Sequence, residues 1–290
     1  MKKCRIIAAA LVLVSVSLLS CKTNTSDVFK TGGFATDSVS YTYGKTVLLE
    51  LKDGTDFQQD EVADSTEISI NVLVEYPKSN GKNTVAVKII RDWMNEELSA
   101  FNKYEKVYDG DPEDAEAFVK FYGDSYKEFF TKPADFPAPA LSYDISIMKE
   151  FENDKCVTYT FLIDQYLGGA HGGRTYFGKT FRKEDGKVFD NFLAIRDIED
   201  SGLDSLIKRG LMEFWNISDE EVLYQYTWEN KVSKYFVEKP AISPCFVKDG
   251  ILFCYQEYEI AAYAAGAPIF VVPYSEIEKY LTPSAADLLK

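Results

Sequence analysis

Glu67-Ile68-Ser69-Ile70-Asn71-Val72-Leu73-Val74-Glu75-Tyr76 is the stretch on which the reading of the fold turns. Ile68, Ile70, Val72 and Val74 recur at every second position, with polar Ser69 and Asn71 between them. That is the period of a strand with one face buried. Downstream the period changes. Val85, Ile89, Trp93 and Leu98 fall at helical spacing over residues 84–104. A second helix is expected from Asp111 as N-cap, with Pro112 at the first helical position and Glu113 and Asp114 in the first turn. Those residue types suit the open N–H groups and positive end of a helix dipole. Ala117, Phe118, Phe121, Tyr122, Tyr126, Phe129 and Phe130 form the apolar stripe that this helix would bury. The acidic run 109–114 lacks the spaced ligands and closing glutamate of a calcium loop, so it reads as a cap.

The Pro-rich stretch 133–139 is the expected internal boundary. Beyond it come strands at 142–151 and 156–165 around Asn153-Asp154, then at 175–182 and 187–189 around Asp185-Gly186. Both turns carry hairpin residues. Helices are expected at 198–214 and from Ser218, whose side chain would form a capping box with Glu221. A last hairpin, 245–248 with 251–257, turns at Asp249-Gly250, and a strand at 268–272 precedes a short helix capped by Ser275 with Glu278. Upstream, residues 46–51 read as one more strand. Strands in groups and helices in groups indicate α+β. The expected architecture is antiparallel sheets with helices packed on one face, in two intimately associated subdomains at 41–135 and 140–285.

The N-terminus supplies the address. Lys2, Lys3 and Arg5 precede an apolar run, 6–19, too short to span a bilayer, and the run closes on Leu18-Leu19-Ser20-Cys21. Residues 1–20 therefore read as a secretory signal resembling a bacterial lipobox, with Cys21 as the lipidated residue. Residues 21–40 are polar and read as a tether. The expected location is the cell envelope with attachment to the membrane through the N-terminal lipid. Lys22 in place of a retention aspartate points to the outer membrane or periplasmic face rather than the inner membrane.

The chain carries 32 basic and 46 acidic side chains, a formal charge of −14. Losing Lys2, Lys3 and Arg5 leaves 29 basic residues against 46 acidic ones, or −17. Nucleic acid is excluded as a partner by the sign of this field, which favours solubility and basic proteins instead.

With Cys4 in the signal and Cys21 lipidated, Cys156, Cys245 and Cys254 are left in an oxidising compartment. A two-residue turn at Asp249-Gly250 would set Cys245 opposite Cys254 as a non-hydrogen-bonded pair with Cα atoms about 4.5 Å apart. That separation is at the short end of disulfide geometry. The pair has two readings, a cross-strand bridge or two small buried apolar side chains, the latter common for cysteine.

The single histidine, His171, lies in Gly168-Gly169-Ala170-His171-Gly172-Gly173. One histidine without nearby ligands makes no zinc site, and neither a phosphate loop nor a nucleophile elbow is present. No metal and no cofactor are expected. No spacing selects two carboxylates as a glycosidase pair, so enzyme action is not expected, with a cell-wall hydrolase using carboxylates and His171 as the alternative.

Two segments together carry a resemblance. Gly168-Gly169-Ala170-His171, followed by strands and Gly186-Lys187, then Phe246-Val-Lys-Asp-Gly-Ile-Leu-Phe253 with Tyr258-Glu-Ile-Ala-Ala-Tyr263-Ala-Ala-Gly266 and Val272-Pro-Tyr-Ser275, resembles the RsiV-like extracytoplasmic domain of unknown function. Residues from about 46 through the two helices resemble its usual companion domain. The likeness implies a recognition fold, since in that family the domain forms the outside half of a lysozyme-binding anti-sigma factor and also accompanies peptidoglycan deacetylases. No sigma-binding segment, spanning helix or deacetylase domain is read here. The expectation is an envelope binding protein that recognises a cell-wall glycan, such as a peptidoglycan fragment, or a basic protein such as lysozyme. A purely structural envelope role is a further alternative. Gly169, His171, Tyr258 and Tyr263 are the candidate binding residues.

Overall fold

The computed structural model describes residues 33–48, 65–79, 81, 83–101, 106–132, 138–194 and 201–290. Cys21, the signal, most of the tether and residues 133–137 and 195–200 lie outside them. Six strands form the main sheet in chain order: β1 (Thr36–Leu48), β2 (Ser65–Pro77), β3 (Ala140–Glu152), β4 (Cys156–Tyr166), β5 (Gly173–Arg182) and β6 (Val188–Phe189). Two helices, α1 (Thr84–Ala100) and α2 (Ala115–Phe130), fall between β2 and β3. Neighbouring strands are antiparallel except β2 and β3, which run parallel. A parallel pair needs a long crossover, and the two helices provide it. The Pro-rich connection thus lies between two paired strands of one sheet.

The two periodicities account for this layer. Ile68, Ile70, Val72 and Val74 of β2 are buried against Ile90, Trp93, Phe118, Tyr122 and Tyr126 from the helices. On β5, Phe177 and Phe181 face the same way and meet Trp93, with ring centroids 6.4 and 5.3 Å apart.

The opposite face of β4 and β5 is covered by a second sheet, β7 (Cys245–Val247), β8 (Gly250–Cys254) and β9 (Ile269–Pro273), in that order. Thr158 and Thr180 share a hydrogen bond of 2.7 Å on this face, and the Thr180 hydroxyl accepts the Phe246 N–H at 3.2 Å. Burial on both faces explains why β4 reads Val-Thr-Tyr-Thr-Phe with little polarity. Helix α3 (Ser201–Phe214) packs outside the second sheet, where a Cβ on Gly210 would stand 2.1 Å from the Phe270 ring. Short helices α4 (Glu220–Tyr226), α5 (Tyr274–Ile277) and α6 (Pro283–Leu289) complete this half.

The fold class is the expected α+β, and several local expectations are corrected. Strand β1 begins at Thr36, so the expected tether ends earlier than residue 40. Helix α2 starts one turn late, with Asp114 rather than Asp111 accepting the Ala117 N–H as its cap. Asp111 instead closes a turn onto Glu113 N–H, because the buried Arg91 holds the Glu113 carboxylate outside the helix at 2.5 Å. Helix α4 is capped by Asp219 rather than Ser218, and Ser275 sits inside α5 without a capping bond. Helix α6 has Thr282 as cap and Pro283 in its first turn.

The last hairpin differs in register. Val247 faces Gly250 and Cys245 faces Leu252, so Lys248-Asp249 form the turn. Gly250 serves close approach, since a Cβ there would lie 2.1 Å from the Val272 carbonyl oxygen. Cys254 pairs with Ile269 and is only diagonal to Cys245, about 7–8 Å in sheet geometry and beyond bridging distance. Of the two readings of Cys245 and Cys254, the disulfide is not formed; both are free, as is Cys156. Burial raises all three thiols, Cys156 and Cys254 to about 12. Buried and protonated, they behave as small apolar side chains.

Candidate functional site

The loop from β4 to β5 reverses through Gly168 and Gly169, with φ of 90° and 93°, which only glycine adopts without strain. The Tyr166 hydroxyl donates to Gly169 O at 2.9 Å and closes the loop. Gly172 is needed because a Cβ would press 2.7 Å from Gln165 O. His171 projects from this loop into solvent, its Nδ1 2.7 Å from Gly172 O. A carbonyl only accepts, so Nδ1 carries a proton in this contact.

The opposing wall is the chain between β8 and β9. Gln256 fastens it to β5, donating from Nε2 to Tyr176 O at 2.9 Å. Glu259 accepts the N–H groups of Gln256 at 2.7 Å and Ala241 at 2.5 Å. Trp215 at the end of α3 donates to Ala265 O at 2.7 Å and holds the 3-10 turn Tyr263–Ala265. Gly266, with φ of 78°, ends that turn.

Between these walls three candidate side chains meet. The His171 and Tyr263 rings stack with centroids 3.9 Å apart and planes at 26°. The Tyr258 hydroxyl shares a hydrogen bond of 3.3 Å with His171 Nε2, and its ring lies 5.7 Å from Tyr263, centroid to centroid. Tyr258 is 51% exposed, and its φ is 64°. A tyrosine in the left-handed region carries backbone strain of about 1–3 kcal/mol. Partial desolvation, then the Glu257 and Asp164 carboxylates and Tyr258, push the Tyr263 hydroxyl above its ordinary value, so it stays neutral.

Gly169 shapes the loop that carries His171 and, among the described residues, shares no hydrogen bond or ring contact with the two tyrosines, whereas His171, Tyr258 and Tyr263, separated by up to 92 positions in the chain, meet at one place. Gln256 and Trp215, which position it, were missed: an amide fastening a loop has no periodic signature, and Trp215 reads as the end of an amphipathic stripe. Among the described residues no three His, Cys, Asp or Glu side chains are grouped to hold a metal ion.

Residues 229–275 match the family model described as a protein of unknown function, DUF3298. The DUF3298 segment includes β7, β8, β9 and the wall bearing Tyr258 and Tyr263. Similar solved structures belong to the same family. A DUF3298 member from Bacteroides fragilis shares 18% identity and a TM-score of 0.54, over 88% of this chain and 99% of that one. A DUF3298 protein from Pseudomonas aeruginosa shares 12% and 0.53, over 87% and 96%. At such identity the likeness is one of fold. No curated protein matches the chain.

Proposed function

We propose that the chain is a lipid-anchored envelope protein whose folded body binds a cell-wall glycan on the His171, Tyr258 and Tyr263 surface. The strained backbone of exposed Tyr258 carries this reading. Strain of this kind persists where surrounding structure enforces it and gathers at ligand sites. Exposed rings with polar tips suit a sugar, whose C–H face packs on an aromatic ring while its hydroxyls find polar partners. Asp164 and Glu257, close enough to act on the Tyr263 hydroxyl, offer acceptors at the rim. The anchor rests on the basic start, the apolar run and Cys21. A role outside the cell is also what the resemblance to the RsiV-like extracytoplasmic domain implies.

The formal charge of −14 favours a second reading, a basic protein partner such as a lysozyme-like hydrolase drawn by electrostatic steering. A hydrolase of the chain's own would need a proton-donating carboxylate with a raised pKa beside His171. The carboxyls that clearly shift, on Glu113, Asp124, Glu128, Glu152 and Asp185, all move down.

Co-sedimentation with purified peptidoglycan sacculi separates these readings. The glycan reading expects saturable retention in the pellet that survives physiological salt. Tyr263→Ala should weaken retention by about 2 kcal/mol, close to thirtyfold, as loss of a central aromatic contact does. Equal pelleting of the parent and Tyr263→Ala would remove the surface from the account. Soluble lysozyme binding that fades with salt, without retention on sacculi, would select the protein reading instead.

A further inference from the structure

We infer that the outer edge of β1 is a docking site for an extended cationic peptide segment of a partner protein, added as a further strand of the main sheet. This inference is independent of the glycan reading and concerns the opposite end of the sheet order. Strand β1 is terminal and pairs only with β2 among the described residues.

Its register shows which backbone groups are free. Lys78 N–H donates to Ala35 O, so odd positions of β1 exchange hydrogen bonds with β2. Glu67, opposite Thr46, turns its N–H away to Pro139 O, which confirms that even positions are the unbonded pairs. Ser38, Ser40, Thr42, Gly44 and Thr46 therefore present their N–H and C=O groups outward. Exposed edges are ordinarily blunted by proline, a bulge, shortness or charged side chains, lysine above all. Strand β1 has no proline, runs thirteen residues and keeps its register without a bulge, and its one lysine, Lys45, lies beyond the stretch 37–41 that borders α2.

Charge selects the occupant. Beside residues 37–41 the edge opens into two adjoining hollows of about 410 and 440 Å³ against the start of α2. Of the carboxylates lining them, Asp37 is paired with Lys78 and Glu113 with Arg91. Asp111, Asp114 and Glu116 face no cation in an ion pair among the described residues, and Lys120 is engaged by Asp124. Asp114 accepts the Ala117 N–H and Asp111 the Glu113 N–H, while Glu116 lies in the first turn of α2, so backbone dipoles but no side-chain cation among the described residues answer the charge of these three acids over the groove. An added strand directs alternate side chains toward α2, so lysine or arginine at every second position would meet these acids.

The test titrates the full chain with a labelled ~6-residue peptide of alternating lysine and threonine, against the glutamate–threonine equivalent, a length typical of one strand. Amide exchange is followed at Ser38, Ser40 and Thr42. The expected result is saturable binding of the lysine peptide, with exchange at these three amides slowed about tenfold or more. Ser40→Pro removes one outward N–H from an edge position that tolerates proline, and should raise the Kd about tenfold. Glu116→Gln, at an exposed position, gives a second check independent of the proline and should weaken binding several-fold. No binding, equal binding of the glutamate peptide, or Ser40→Pro binding as well as the parent overturns the inference. Protection of the same amides that rises with protein concentration in the absence of peptide would also overturn it, by assigning the edge to a second copy.

Discussion

Glu152→Ala is expected to lower the unfolding free energy by about 3–5 kcal/mol, the usual effect of stranding a buried charge. Glu152 ends β3, and its carboxylate accepts Phe34 N–H at 2.7 Å, Lys183 Nζ at 2.6 Å and Lys149 Nζ at 3.0 Å. The Lys183 side chain is 5% exposed, so removing its partner leaves an ammonium in the interior. The same carboxylate ties the entry to β1, the end of β3 and the β5–β6 hairpin. Burial by itself pushes the Glu152 carboxyl up, but Lys183, the Phe34 N–H and Lys149 more than offset it and hold it below its usual value. With the folded pKa depressed, this stabilisation is complete above the unfolded value of about 4.3 and is lost as pH falls through the lower folded one. Urea denaturation of both proteins between neutral pH and pH 3 checks this. The parent should lose its advantage over Glu152→Ala progressively toward the acid end, and a constant gap would refute the ionic account.

Phe246→Ala is the second large effect, expected at about 3–5 kcal/mol for truncating a fully enclosed aromatic ring. Phe246 is 0% exposed, and its ring lies 4.8 Å from Phe192, 6.1 Å from Phe151 and 6.4 Å from both Phe189 and Tyr274. Its N–H reaches Thr180 of the main sheet. The residue thus serves both the second core and the joint between sheets. Phe246→Leu, which keeps most of the volume, should cost less than half as much. A denaturant midpoint for Phe246→Ala close to the parent's would mean that the small sheet is not built around this ring.

Where the sequence was legible, period was the reason. The alternation of β2, most of the α2 stripe and the hairpins around Asn153-Asp154 and Asp185-Gly186 stand in the structure, whereas α1 buries Ala86, Val87, Ile90 and Met94 beside Trp93 and Leu98 and leaves Val85 58% exposed. Periodicity carries no information about which strands pair, so the parallel β2–β3 contact was not foreseen. The Cys245–Cys254 expectation failed because Asp249-Gly250 is a common turn pair, while here the glycine is required by the Val272 backbone across the sheet. Helix caps were misplaced by one to three residues wherever two cap-forming side chains competed, as Asp111 and Asp114 do. At the site, His171, Tyr258 and Tyr263 were each nameable, yet their stacking depends on loops whose meeting no local pattern encodes.

His171 is the single histidine of the chain, so its ring resonances identify themselves by number. The most direct test of the glycan reading is therefore to titrate the protein with soluble peptidoglycan fragments while following the His171 ring protons by NMR. Stacking of a sugar on Tyr258 and Tyr263 should move those signals saturably, and the shift should disappear in Tyr263→Ala with the fold retained. Binding of the fragments, by calorimetry, that leaves the His171 resonances in place would contradict it.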